Sequence, residues 1–132
     1  MALEDLKAAL QAELAATPGL DLAIAFGSVA RGQATPASDL DLAVRGDVDV
    51  LDLAARVSRA AGREVDIVSL ARPSIPLLSA IIRDGVVVFE RARGIEASFR
   101  ARALLTLETD APWFERMERA WLKRVAQRGL FG

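Results

Sequence analysis

Two aspartates, one residue apart, follow a loop that opens with glycine and serine, in the segment FGSVARGQATPASDLDLAV at 26–44. Side chains at positions i and i+2 of a β-strand point to the same face, so Asp39 and Asp41 lie together while Leu40 faces the other way. Two carboxylates held that close repel each other. A divalent cation removes this penalty, and hard oxygen ligands favour magnesium or manganese. The segment therefore predicts a metal-binding strand.

A third aspartate, Asp66, lies in the strand-like segment EVDIVSL at 64–70. If this strand neighbours the one that carries Asp39 and Asp41, the third carboxylate reaches the same place. Three carboxylates on adjacent strands can hold two metal ions about 3.5–4 Å apart, which stabilises the attacking and leaving oxygens of a phosphoryl-type transfer.

The Gly-Ser pair before the loop has the residue types of a phosphate-binding turn. Gly27 ends a strand and lets the backbone approach a ligand closely. Ser28 offers a hydroxyl and an amide to phosphate oxygens, although it could equally cap a helical turn. Arg31 either neutralises phosphate charge or is a surface charge. These three residues are the predicted nucleotide-binding group.

The elements that position these residues follow from hydrophobic periodicity and breaker residues. The sequence predicts a helix that ends at Thr17-Pro18-Gly19, strands at 20–26, 39–44, 64–70 and 86–90, a helix from an N-cap at Asp47 to about Ala61, a helix at 73–84, and helices from Gly94 onward that are interrupted near Asp110-Ala111-Pro112. This is an α/β (α+β) fold with a small mixed sheet. We expect a core at 1–92 and C-terminal helices at 93–132 that pack on the core or on a partner.

Composition excludes several kinds of chemistry. The 132 residues include no cysteine, histidine or tyrosine, which rules out thiolate sites, imidazole-bound zinc and a Ser-His-Asp triad. The net charge of −1 disfavours a nucleic-acid partner. No apolar run approaches the ~20 residues of a membrane span, and we expect a cytoplasmic protein.

The last predicted helix carries an apolar stripe of Phe114, Met117, Trp121 and Val125. Such a stripe is usually core packing, but in a short chain it can also serve a dimer or partner contact.

Gly27-Ser28, ten further residues, Asp39-Leu40-Asp41 and a later strand aspartate together resemble the signature of the DNA polymerase β-like nucleotidyltransferase superfamily. Within it, GSVARG followed by SDLDLAV resembles the minimal nucleotidyltransferases (MNT), antitoxin partners of HEPN ribonuclease toxins. The resemblance covers residues 3–90, and the C-terminal helices are similar only in kind.

The resemblance implies magnesium-dependent transfer of AMP from ATP, with release of pyrophosphate, to a tyrosine hydroxyl of the HEPN toxin, which is thereby neutralised. Asp39 and Asp41 would bind both Mg²⁺ ions. Asp66 would hold the catalytic ion and take the proton of the attacking hydroxyl. Gly27 and Ser28 would cradle the β- and γ-phosphates.

Two other functions stay open at this point. The chain could be a catalytically idle antitoxin that blocks its toxin by docking, or it could form a homo-oligomer that builds a pocket for a small-molecule acceptor. The few residues that follow the last predicted strand leave little room for an acceptor pocket within one chain, which favours a protein substrate.

Overall fold

The computed structural model describes residues 3–33, 35 and 38–128. Its elements, in chain order, are α1 (Leu3–Ala15), β1 (Leu20–Phe26), α2 (Gly27–Ala30), β2 (Leu40–Gly46), α3 (Val50–Ala61), β3 (Val65–Ser69), α4 (Ile75–Asp84), β4 (Val86–Glu90) and α5 (Ile95–Arg128). The predicted mixed α/β fold is confirmed, and the four predicted strands are all present.

The four strands form one sheet in the order β3-β2-β1-β4. β1 is antiparallel to both β2 and β4, whereas β2 and β3 are parallel. A parallel pair needs a crossover connection, and α3 supplies it between β2 and β3. This crossover brings the strand of Asp66 beside the strand of Asp41.

Helices cover both faces of the sheet. The first layer, from α1 and α3, packs on Leu40, Leu42 and Val44 of β2. The second layer, from α4 and the first turns of α5, packs on the other face, which includes Ala43. Because side chains alternate along β2, Asp41 belongs to the second face.

The β1 strand is buried on both of its sides. Leu22 and Ile24 face the second layer, while Ala23 and Ala25 face the first. The two alanines are the small residues of β1 on the face that α1 covers.

The predicted start of α3 was wrong by two residues. Its N-cap is Asp49, whose carboxylate accepts a hydrogen bond from the Asp52 amide at 3.1 Å. Asp47 lies in the turn before it. Both aspartates suit an N-cap by residue type, so the sequence alone does not choose between them. The predicted end of this helix at about Ala61 is confirmed, and Gly62 follows it with φ of 68°.

The predicted interruption at Asp110-Ala111-Pro112 is also wrong, because α5 continues through Pro112. A proline inside a helix removes one amide donor and leaves the carbonyl four residues earlier without its partner. Pro112 and Glu108 are both exposed. Water can therefore donate a hydrogen bond to the Glu108 carbonyl in place of the missing amide, and the helix continues through Pro112.

The proposed division at 92–93 remains a prediction. Phe99 and Ala103 of α5 are buried against the sheet and α4, so the first part of the C-terminal segment packs on the core. Residues 129–132 lie outside the described part of the chain. Over the described residues, the helices include none with both the length and the apolar character that crossing a membrane requires.

Candidate active site

The turn from β1 into α2 places backbone directly against Asp41. Gly27 follows Phe26, whose register partner on β2 is Asp41. Gly27 has φ of +77°, and a Cβ at this position would lie 2.5 Å from Oδ2 of Asp41. Both the backbone conformation and the close approach require glycine.

Ser28 lies inside the first turn of α2 and does not cap it. The N-cap position belongs to Phe26, which makes no side-chain capping bond. The Ser28 carbonyl accepts a hydrogen bond from the Gln33 amide at 3.0 Å, which closes the turn. The side chain of Ser28 is thus not needed to cap α2, so the alternative role considered for it from sequence does not apply.

Asp41 and Asp66 are direct register partners on the parallel strands β2 and β3. This confirms the predicted neighbourhood of the two strands. Asp41 is half-buried and Asp66 is exposed. Asp39 is exposed and immediately precedes β2, so it lies just before the strand and not within it.

The backbone on both sides of Asp39 is fixed by contacts that the sequence analysis missed. The Leu40 amide donates to the Glu64 carbonyl at 2.9 Å. The Arg63 guanidinium donates to the Ser38 carbonyl at 3.2 Å. Arg63 thereby ties the end of the loop to the segment that leads into β3, and no local sequence pattern signals that contact.

The electrostatics of the cluster are concentrated on Asp41. Burial raises the pKa of the Asp41 carboxyl above its ordinary value, and the negative charges of Asp66 and Asp39 raise it further. The positive charge of Arg31 acts in the opposite direction. Partial desolvation and two like charges are the conditions that a bound cation relieves.

The donor chemistry of this cluster fits a hard divalent cation, because carboxylate oxygens are the ligands that magnesium prefers. Within the described ranges, the side chains do not already form a group of three or more acidic ligands around one point. Asp39 and Asp66 are exposed and can rotate toward Asp41. The cluster therefore fits a divalent cation by its residue types and by the placement of its backbone.

Arg31 is engaged by a residue that the sequence analysis missed. One of its terminal nitrogens lies 3.5 Å from Oδ2 of Asp84, at the end of α4, and its Nε donates to Oε1 of Gln33 at 3.2 Å. A hydrogen bond from Arg83, followed by its charge and the contact with Arg31, lowers the pKa of Asp84. This pair holds the end of α2 beside α4, and Arg31 still lies close enough to influence Asp41.

We expect Ser28→Ala to weaken binding of a nucleoside triphosphate by about three- to tenfold, because one hydrogen bond contributes about 0.5–1.5 kcal/mol while the backbone amides of α2 remain. Isothermal titration with a non-hydrolysable ATP analogue and magnesium measures the change. Ser98→Ala, on an exposed surface of α5, is the matched control. Unchanged affinity in Ser28→Ala would show that its hydroxyl does not contact the phosphates.

Comparison with known proteins adds to this geometry. Residues 8–94 match the family described as polymerase beta nucleotidyltransferase. A chain from a toxin–antitoxin crystal structure with AMP-PNP is 23% identical, with a TM-score of 0.61 over 86% of this chain and 97% of that chain. A chain from the complex of tri-AMPylated Shewanella oneidensis HEPN toxin with MNT antitoxin is 22% identical, with a TM-score of 0.55 over 86% and 94% of the two chains. At these identities the likeness establishes a shared fold. No curated protein matches the chain by sequence.

Proposed function

Because the chain belongs to the polymerase β nucleotidyltransferase family, and is a nucleotidyltransferase, we propose that it transfers AMP from ATP to a tyrosine hydroxyl of a HEPN-type toxin and thereby neutralises that toxin. The observation that carries the proposal is the register pairing of Asp41 with Asp66 beside the glycine turn. This pairing puts the backbone proposed to bind phosphate and the carboxylates proposed to bind metal at one end of the sheet.

In the proposed reaction, the acceptor oxygen forms a bond to the α-phosphorus of ATP. The bond between that phosphorus and the pyrophosphate oxygen breaks, and the proton of the hydroxyl passes to Asp66. Asp39 and Asp41 would hold two magnesium ions, with Asp66 as a further ligand of one of them. When bound, magnesium neutralises charge on the phosphate oxygens and favours the attack.

The turn at 27–30 would hold the triphosphate. Gly27 lets the backbone approach the phosphates without a side chain, and the amides at the start of α2 have no hydrogen-bond partner within the helix. Arg31 would add positive charge at the far side of that turn. Its contact with Asp84 would hold it near the site before the nucleotide binds.

A protein acceptor is favoured by the elements of the described residues and by the neighbours of this chain. Only α5 follows the sheet in the described residues. The similar chains come from toxin–antitoxin complexes, one with AMP-PNP and one with a tri-AMPylated HEPN toxin. These neighbours support a toxin as the partner and adenylate as the group transferred.

The test is transfer of label from α-³²P-ATP to the product of the adjacent reading frame in the presence of magnesium. We expect labelled toxin whose label is stable to acid, and loss of the toxin's ribonuclease activity in proportion to labelling. The matched control replaces the toxin tyrosines with phenylalanine. If the toxin is inhibited without label, the chain acts by docking alone. If a small-molecule acceptor is labelled in the absence of toxin, the protein acceptor is wrong.

A further inference from the structure

The side of α5 that packs on the core stays apolar along the part of the helix that extends beyond the core. On α5, the residues that pack against the sheet and α4 include Ile95, Phe99 and Ala103. Five helical turns further along, at 3.6 residues per turn, the corresponding positions are Trp113, Met117 and Trp121. These side chains therefore point in the same direction as the core-facing ones. There they are 58%, 46% and 52% exposed.

This second half of α5 lacks a covering surface within the described residues. Its burial pattern from 108 onward shows exposed side chains wherever side chains are described, and the side chains of Phe114 and Val125 lie outside that description. A helical segment that extends into water is marginally stable without tertiary packing. Two exposed tryptophans on one stripe mark a surface that is normally buried against another molecule.

The aromatic residues of the stripe are placed symmetrically about Met117. Charged residues at equal distances on its two sides have opposite signs. Trp113 and Trp121 lie four residues to either side of Met117. Asp110 and Arg124 lie seven residues to either side, within about 20° of the Met117 direction on the helix. Asp110 and Arg124 are about 21 Å apart along one helix, so they cannot pair with each other within a chain.

We propose that α5 pairs with α5 of a second copy of this chain, antiparallel, with the two-fold axis at Met117. A two-fold interface brings position i of one copy against the position equally far on the other side of the axis. Trp113 then packs against Trp121 of the second copy, and Asp110 meets Arg124 of the second copy. A charge pattern of opposite sign at equal distances fits self-pairing, whereas a different protein would have no need for it.

This pairing does not depend on the proposed activity. The stripe lies on the extension of α5, and its residues are not among the proposed metal- or nucleotide-binding residues. The residues involved contribute nothing to the buried core, so substitutions among them leave the folded core intact. The interaction can therefore be measured on the chain alone, without toxin or nucleotide.

The test is a charge exchange measured by sedimentation velocity over a concentration series. We expect the wild-type chain to form a dimer. Asp110→Arg and Arg124→Asp should each weaken dimerisation by about tenfold, because each turns two attractive contacts of the dimer into repulsive ones. The double variant, with both charges exchanged, should dimerise about as well as wild type. Restoration is possible only when position 110 of one copy contacts position 124 of the other.

Glu115→Arg is the matched control, because position 115 points to the opposite side of α5 from Met117 and should leave the dimer unchanged. Met117→Cys supplies an independent readout in a chain that has no other cysteine. It should form an intermolecular disulfide on mild oxidation, and Glu115→Cys should not. A wild-type chain that remains monomeric, or single variants that the double exchange does not rescue, would overturn the proposal.

Discussion

The Asp41→Asn variant is expected to lose nucleotidyl transfer by about a thousandfold or more while it folds normally. Asp41 lies between Gly27 and Asp66, so its carboxylate is the proposed ligand shared by both ions. Loss of metal stabilisation costs several kcal/mol of the barrier, and each ~1.4 kcal/mol is tenfold in rate. The initial rate of AMP incorporation at fixed ATP and magnesium measures the effect.

The same substitution should stabilise the metal-free protein by about 0.2–1 kcal/mol, since Asp41 and Asp66 are like charges directly opposite each other on neighbouring strands. The folded-state pKa of Asp41 is raised above 3.8, so the folded state holds its proton to higher pH than the unfolded state does. Wild-type stability relative to the variant therefore falls as pH rises from 3.8 through the raised pKa. Urea unfolding of both proteins at several pH values measures this difference.

Asp47→Asn is the matched control, because Asp47 is an exposed aspartate in the turn that follows the same strand. It should keep wild-type activity and show no comparable gain in stability. An Asp41→Asn protein that transfers AMP within about tenfold of the wild-type rate would contradict its role as a shared metal ligand. A stability gain at low pH only would contradict the electrostatic explanation.

The Gly27→Ala variant is expected to lose about a hundredfold or more in activity with a loss of about 1–2 kcal/mol in stability. The stability cost comes from holding an alanine at φ of +77°. The larger effect on activity comes from the new Cβ, which would lie 2.5 Å from Oδ2 of Asp41. The Asp41 carboxylate is the flexible member of that contact and must move out of the site. Denaturant unfolding and the AMP-transfer rate measure the two effects separately.

Gly62→Ala is a matched control that separates backbone strain from displacement of Asp41. Gly62 has φ of +68°, and an added Cβ would meet nothing within 4 Å. It should lose a similar amount of stability and keep its activity. Equal activity losses in both variants would mean that global stability, and not the position of Asp41, explains the Gly27→Ala defect.

The candidate site residues could be proposed from sequence alone, whereas their arrangement could not. Alternation in the segment 39–44 predicts a common face for Asp39 and Asp41, although Asp39 precedes β2 in the structure, and the spacing after Gly27-Ser28 carries the family resemblance. The register that pairs Asp41 with Asp66 depends on how α3 returns the chain to the sheet. That return depends on the packing of α3 against α1 and β2, which local patterns do not encode.

Contacts between residues distant in the chain account for most of what sequence reasoning missed. The Arg31–Asp84 pair joins α2 to the end of α4, and Arg63 reaches the Ser38 carbonyl across 25 positions. In the sequence Arg63 looks like an ordinary surface charge, and Arg31 suggests a phosphate contact or a surface charge but not a partner on α4. The continuity of α5 through Pro112 was missed for a different reason: an exposed helix can lose one internal hydrogen bond to water, so a proline there does not end it.

The most direct measurement of the central claim is a crystal structure with a non-hydrolysable ATP analogue and Mn²⁺, with the ions located by anomalous scattering. The account predicts two ions held by Asp39, Asp41 and Asp66, with the triphosphate against the backbone of Gly27 and Ser28. Ions and triphosphate bound elsewhere, with these three carboxylates still apart, would contradict it.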